Sequence, residues 1–359
     1  MKIAQVSPLY ESVPPKLYGG TERVVSFLTE ALIDLGHEVT LFASGDSVTR
    51  ARLIPGAPRA LRLDADCHEQ IAPHVAMVER AMRQADEFDV IHFHVDYLGF
   101  PLGSRSRVPH VTTQHGRMDI PEYEPLFRLY PDEPQVSISD AQRAPLSFAN
   151  WMATVYHGLP PDLYRLQPAP GKYLAFLGRI SPEKRVDRAV EIARRLDLPL
   201  KVAAKVSKAD QDYYEQEIKP LFADPRVEYI GEIGEKDKQE FLGNAAALLF
   251  PIDWPEPFGL VMTEAMACGT PVIAFRRGSI PEVMEDGVSG FVVDSVDEAV
   301  ALTPRALQIP RTRVRAYFES RFLAERMARD YLAVYQALCE STLAGGRSPA
   351  RRAAGAEVA

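Results

Sequence analysis

The chain has few cysteines: Cys67, Cys268 and Cys339 are the only ones in 359 residues. Their number is odd and their spacing fits neither a disulfide framework nor a cysteine zinc site, which points to a reducing setting, the cytoplasm. No apolar run approaches the length of a membrane span. The start, MKIAQVSPLYE, meets Ser7, Pro8 and Glu11 before an apolar region can form, so no signal peptide is expected. A basic excess is also missing. Lys and Arg number 41 against 49 Asp and Glu, a net charge of −8, which argues against a nucleic-acid partner and confines any phosphate chemistry to a local basic pocket. G-x-G-x-x-G follows neither half's first strand, where LYGGTERVV and LGRISPEKRV stand instead, so a dinucleotide site of the usual kind is not expected. No D-x-D pair is placed to hold a divalent ion. The expectation is no metal and no cofactor.

What is present is the composition of a globular protein, 46% hydrophobic and 25% charged. The length suits two domains. Short β-branched runs (KIAQVS, HEVTLFAS, DVIHFH, HVTTQH, QVSIS, ATVYHG) alternate with helix-period segments, and the pattern restarts with KYLAFLG, PLKVAAK, VEYIG, ALLFPI, PVIAF and GFVV. Val24, Leu28, Ala31, Leu32 and Leu35 share one face of the first helix, and Gly36 stands at its C-terminal cap. Repeated βα units predict an α/β protein of two Rossmann-like domains facing across a cleft, each with a parallel sheet. LPPDLYRLQPAPGK marks the joint. The expected division is 1–165, 166–320, a helix over 321–340 returning to the first domain, and a disordered tail over 341–359. Arg50, Arg52, Arg59 and Arg62 read as a solvated loop, with peripheral membrane contact as the alternative.

Chemistry is expected where strands end at the cleft. Gly19 and Gly20 precede the first helix, whose free amides a ligand can approach closely. Ser181 and Pro182 fit an N-cap and first helical position, putting Lys184 and Arg185 in an opening turn that disfavours cations unless an anion binds. Arg179 on the preceding turn could add a bidentate hold on phosphate. In EPFGLVMTEAMACGTPV, Glu256 lies on backbone stiffened by Pro255 and Pro257, Gly259 opens a helix, and Glu264 falls on an apolar face. There it needs either a buried salt bridge or a ligand's hydroxyls. His115 ends the strand of TTQHG. His92 and His94 share a strand face with Asp96 beyond, without a third ligand at metal spacing, and read as core or acceptor-side polar residues. Ser279 to Glu282 fits a structural capping box.

GRISPEK, EPFGLVMTEAMACGTPVIA and GSIPEVMEDGVSGFVV together resemble the retaining family-four glycosyltransferases of the GT-B fold, and SPLYESVPPKLYGGTERVV and TTQHG match that family's first domain. The resemblance runs from about Met1 to Tyr335. It implies a metal-independent retaining transfer of a sugar from a nucleotide-diphosphate donor, UDP-sugar favoured, to a saccharide, lipid-linked or small-molecule hydroxyl acceptor. It further implies that Glu264 holds the ribose, that Glu256 and His115 serve the transferred sugar, and that Arg179 and Lys184 neutralise the diphosphate. Gly19, Gly20, Phe258, Gly259 and Leu260 would complete the donor site. FRRGSIPE departs from the family's frequent wording through Arg276 and Arg277. The rival readings are a nucleotide-sugar epimerase or hydrolase and a non-catalytic nucleotide-sugar-binding protein.

Overall fold

Most of the short β-branched runs become strands covered on both faces, while Trp151–Thr154 and Val227–Gly231, at sheet edges, stay partly exposed. A computed structural model describes residues 1–16 and 19–344. The first sheet comprises β1 (Lys2–Val6), β2 (Glu38–Ser44), β3 (Arg52–Ala57), β4 (Val90–Phe93), β5 (His110–Thr113), β6 (Gln135–Ser137) and β7 (Trp151–Thr154), in the order 3-2-1-4-5-6-7. The second comprises β8 (Tyr173–Ile180), β9 (Leu200–Val206), β10 (Val227–Gly231), β11 (Ala245–Phe250), β12 (Val272–Phe275) and β13 (Gly290–Val293), in the order 10-9-8-11-12-13. Neighbouring strands are parallel in both sheets. Strand order reverses at β1/β4 and at β8/β11, which is where open α/β sheets form ligand crevices.

Helices cover these sheets. The first, α1 (Gly20–Asp34), buries Val24, Leu28, Ala31 and Leu32. It stops at Gly36, whose φ of 87° suits the left-handed cap and whose amide donates to the Ile33 carbonyl at 2.9 Å. In the second half come α2 (Val186–Leu196), α3 (Glu235–Gly243), α4 (Leu260–Ala267) and α5 (Arg311–Arg321). The chain then crosses back. Leu159 and Leu323 pair as an isolated bridge, the Leu159 amide donating to Phe322 and the Ala324 amide to Leu159. The helix α6 (Ala324–Ala344) follows and buries Tyr331 and Tyr335 against the first sheet, where their hydroxyls reach Thr113 and His92.

Two expectations change. The segment of Arg50, Arg52, Arg59 and Arg62 is not simply a solvated loop, because Arg52 opens the edge strand β3, where Pro55 and Gly56 are tolerated for want of a neighbour on one side. These arginines meet Glu30, Glu87, Asp64 and Glu11, so the run is neutralised within the protein. The last helix continues through 344 instead of ending at 340. Residues 345–359, most of the expected tail, lie outside the described residues. Among the described residues no helix is long and apolar enough to cross a membrane.

Candidate active site

The C-terminal strand ends of both sheets open onto one cleft of about 670 Å3. Its second-domain wall is built from charge pairs. After β11 the chain runs through Trp254 and Glu256 to Gly259, whose φ of 84° admits a left-handed turn that a side chain would resist, and α4 begins at Leu260. Glu256 Oε2 accepts from Lys184 Nζ at 2.7 Å and from Trp254 Nε1 at 2.9 Å. The same ammonium sits 4.7 Å from the Trp254 ring centre and 5.5 Å from that of Phe250. One turn into α4, Glu264 is 2% exposed, and its Oε1 accepts from Lys238 Nζ of α3 at 2.7 Å. Lys238 also lies 3.4 Å from Glu235, which takes hydrogen bonds from Arg23 and from the Tyr164 hydroxyl. Arg179, at the end of β8, donates to Glu183 at 2.9 Å, and its Nε is buried without a partner.

The first-domain wall carries Glu22, Arg23, Arg62, Asp96 and Arg117, and beside them a cluster of neutral rings. His115 Nε2 and His94 Nδ1 are 2.8 Å apart, and His94 Nε2 is 2.7 Å from Gln5 Oε1. His157 stacks on His115 with ring centres 5.4 Å apart, and Phe258 meets His157 edge-on at 4.7 Å. Burial pushes His115 down to about 3 and His92, His94 and His157 well below the ordinary histidine range, so these imidazoles are uncharged at neutral pH. Further along this wall Asp96 adopts a left-handed φ of 51°.

The cleft brings together the ten residues that the sequence assigned to donor binding or catalysis: Gly19, Gly20, His115, Arg179, Lys184, Glu256, Phe258, Gly259, Leu260 and Glu264. Gly20 begins α1, and a β-carbon there would meet only the Leu260 side chain of the opposite wall, at 3.9 Å. Gly19 is required for packing, since a β-carbon would come within 2.8 Å of Pro15. The local structure departs from expectation at Lys184 and Arg185. Pro182–Lys184 is a separate 3-10 turn, Ser181 makes no side-chain cap bond, and Arg185 is left-handed at φ 54°. That residue breaks the helix, so Lys184 reaches across to Glu256 while Arg185 turns to Asp187 and Asp253. Arg276 and Arg277 pair with Asp294 and Asp253 and do not line the cleft.

Glu282 also departs from the capping-box reading. Its carboxylate accepts from the amides of Asp140 and Ala141, both at 2.7 Å, and thus ties the second domain to the first. Sequence spacing could not separate these uses, because a carboxylate three residues after serine suits either set of amides. Lys238, Trp254, His157 and Gln5 were missed as site residues. Trp254 carried a signal, standing two residues before Glu256; Lys238 sits in an acidic-basic helix where nothing sets it apart from a solvated lysine. Among the described residues no three His, Cys, Asp or Glu side chains are grouped to hold a metal ion.

Two family descriptions match the chain, "Glycosyltransferase Family 4" over residues 18–175 and "Glycosyl transferases group 1" over residues 166–317. The chain is 26% identical over 336 residues to D-inositol 3-phosphate glycosyltransferase of Kribbella flavida, covering 77% of this chain and 78% of that one. It is also 26% identical over 335 residues to phosphatidyl-myo-inositol mannosyltransferase of Mycolicibacterium smegmatis, with 83% and 82% covered. Among solved structures, AviGT4, a glycosyltransferase involved in avilamycin A biosynthesis, superposes with a TM-score of 0.73 at 26% identity over 95% of this chain and 98% of that one. The Anabaena HepE protein in complex with UDP and glucose superposes with a TM-score of 0.70 at 20% identity over 94% and 100%, a likeness of fold.

Proposed function

Given that the chain belongs to the family-four glycosyltransferases of the GT-B fold, we propose that it transfers a sugar from a UDP-sugar to a hydroxyl acceptor with retention of anomeric configuration and without a metal. The observation that carries the donor assignment is the pair of lysine-bound carboxylates flanking Gly259. Lys184 gives one of its three N–H donors to Glu256 and keeps two for phosphate oxygens. The amides at the start of α4 lie beside it, where a helix N-terminus favours an anion. Glu256 spends Oε2 on Lys184 and Trp254, leaving Oε1 for hydroxyls of the transferred sugar. Glu264 spends Oε1 on Lys238, leaving Oε2 for a ribose. Arg179 adds a cation at the phosphates.

Retention follows from what these groups can do. An inverting transfer needs a general base opposite the leaving group. In a front-face reaction the departing phosphate takes the acceptor's proton, and the protein supplies cations for that phosphate and contacts that orient the sugar. Glu256 is committed to two donors and suits orientation better than proton abstraction. UDP is favoured by the HepE likeness, that protein having been crystallised with UDP and with UDP-glucose. The relatives named for inositol derivatives put polyols first among acceptors to screen.

The test is a thermal-shift screen of UDP, GDP and ADP with their sugars. UDP at 100 times its dissociation constant adds about 2.7 kcal/mol; stabilisation by GDP or ADP alone overturns the donor. Turnover persists in excess EDTA, and the glycoside formed from an α-linked donor shows the anomeric proton coupling of an α product. A β product refutes retention.

A further inference from the structure

Asp253 lies outside the cleft lining and gathers three arginines. Its Oδ2 accepts from Arg185 Nη1 at 3.2 Å and from Arg188 Nη2 at 2.9 Å, and its Oδ1 accepts from Arg277 Nε at 3.0 Å. Its amide donates to the Glu183 carbonyl at 2.8 Å. These contacts join three stretches that are far apart in sequence, the turn and helix after β8, the loop after β11 and the loop after β12. The three strands are neighbours in the second sheet. Each stretch also reaches the cleft wall. Lys184 precedes Arg185, Glu256 follows Asp253 by three positions, and Ser279, two beyond Arg277, donates its amide to the Glu256 carbonyl at 2.9 Å. Gly278 permits that approach, since a β-carbon there would collide with the Glu256 carbonyl oxygen.

The 2.7 Å contact between Lys184 and Glu256 bridges two of these loops, so it depends on how they sit. Arg185 is the vulnerable point. Its φ of 54° is left-handed, a conformation unfavourable to a residue with a β-carbon. A right-handed residue there would let the Pro182–Lys184 turn run on into α2 and carry Lys184 away from Glu256. Asp187 accepts from Arg185 Nε and Nη2, but that pair lies within one segment and moves with it. Among the described residues Asp253 is the ion-pair partner that ties Arg185 to another loop. We propose that Asp253 is a positioning residue for the phosphate-binding cation: by gathering Arg185, Arg188 and Arg277 it keeps residue 185 left-handed and sets Lys184 against Glu256, ready for a diphosphate before one binds. The inference rests on the donor reading for its ligand and on these contacts for its content. It also gives Arg277, which sets FRRGSIPE apart, a use at the site without a place in the cleft. A lysine already held spares the rotamer freedom that a loose one would lose on binding.

The test measures UDP and uridine affinities by calorimetry on the full chain. Uridine has no phosphate and reports on the rest of the donor site. Asp253→Asn keeps the shape of the side chain and the bond to Glu183. By Coulomb attraction alone, deleting this negative charge would tighten UDP binding. Loss of the brace requires the opposite sign, UDP weaker by about five- to tenfold, a partial loss of a charge-assisted hydrogen bond, with uridine unchanged. In a Lys184→Ala background the same substitution should cost nothing further, because the group it positions is gone. Arg277→Gln opens the brace from another loop and carries the same cycle should Asp253→Asn fail to fold, with Arg276→Gln, an equal charge change outside the brace, as its control. UDP binding that is tighter or unaltered in Asp253→Asn, an equal loss for uridine, or a full additional loss without Lys184 overturns the proposal. Wild-type protein that binds no UDP sinks the donor reading instead. Crystal structures of the two variants then decide the brace: loss of the Lys184–Glu256 contact is expected, and its survival overturns the proposal.

Discussion

The two walls of the cleft solve the burial of polar groups in opposite ways. The second-domain wall keeps full charges and sets them in pairs, Lys184 with Glu256 and Lys238 with Glu264. The first-domain wall keeps its imidazoles neutral and links them by directed hydrogen bonds to Gln5, Thr113 and two tyrosines. Charge pairs can be shared with an ionic ligand, since an ammonium has donors to spare and a carboxylate has a second oxygen. A neutral network has no such reserve, and its strength lies in holding its rings in place. One wall is therefore suited to holding a charged donor and the other to orienting an uncharged ring.

Acid should separate the walls most sharply. His92, His94, His115 and His157 remain neutral in the fold below the pH at which they protonate in the unfolded chain, His115 down to about 3. The unfolded state then binds more protons as pH falls below about 6.5, and stability is lost in that direction. Each ring contributes at most about 2 kcal/mol of loss by pH 5. Glu22, whose carboxyl is raised by burial, offsets a part because it protonates first in the fold. Calorimetric midpoints measured from pH 7.5 to 5 should fall steeply; a flat profile would mean that the first wall is not a neutral network.

Lys184→Ala should come next, lowering turnover about 10²- to 10³-fold, the usual cost of losing one preorganised group that stabilises developing charge. A variant with near-normal kcat would place the phosphates elsewhere. Glu264→Gln should weaken UDP binding by roughly 10- to 100-fold through its charge-assisted bonds, while the melting temperature moves little because Lys238 keeps Glu235 as a partner. Unfolding of this variant without nucleotide would instead make Glu264 a structural ion-pair residue. Glu282→Ala should have the smallest effect, about 1 kcal/mol of stability, comparable to loss of a helix cap. It acts where the walls are tied together, so a much larger loss would show that the domains do not hold their spacing without that carboxylate.

Sequence made the second wall legible and the first nearly opaque. Glu256, Gly259 and Glu264 lie within one short segment, where proline stiffness, a helix start and an ill-placed carboxylate all speak to the same site. Among the described residues thirteen strands emerged, with one missing from the sequence reading, β3, because RLIPGA carries the residues that strands usually avoid and owes its pairing to an edge position. Lys238 escaped because its partner is 26 positions away, and Gln5 and Tyr335 because the bond between them spans 330. Ser181 and Pro182 were placed correctly as a start signal, yet what they start is a single turn. The left-handed Arg185 that ends it is an arginine in a conformation that local propensity would assign to glycine or asparagine.

The return of α6 to the first sheet has its consequence during synthesis. Gln5 and Tyr335 are 330 positions apart. At about 5 to 20 residues per second, roughly 15 to 65 s pass between the ribosome's addition of one and of the other. For that interval the first sheet has neither of the tyrosine hydroxyls that satisfy His92 and Thr113, and the apolar surface that α6 covers stays open to water. The first domain thus begins folding early and finishes last, after the second domain has been made. Loss of the last helix would strand every nascent chain at that exposed stage, so in a cell its first cost would be paid to chaperones and proteases, as abundance, before any measurement of catalysis.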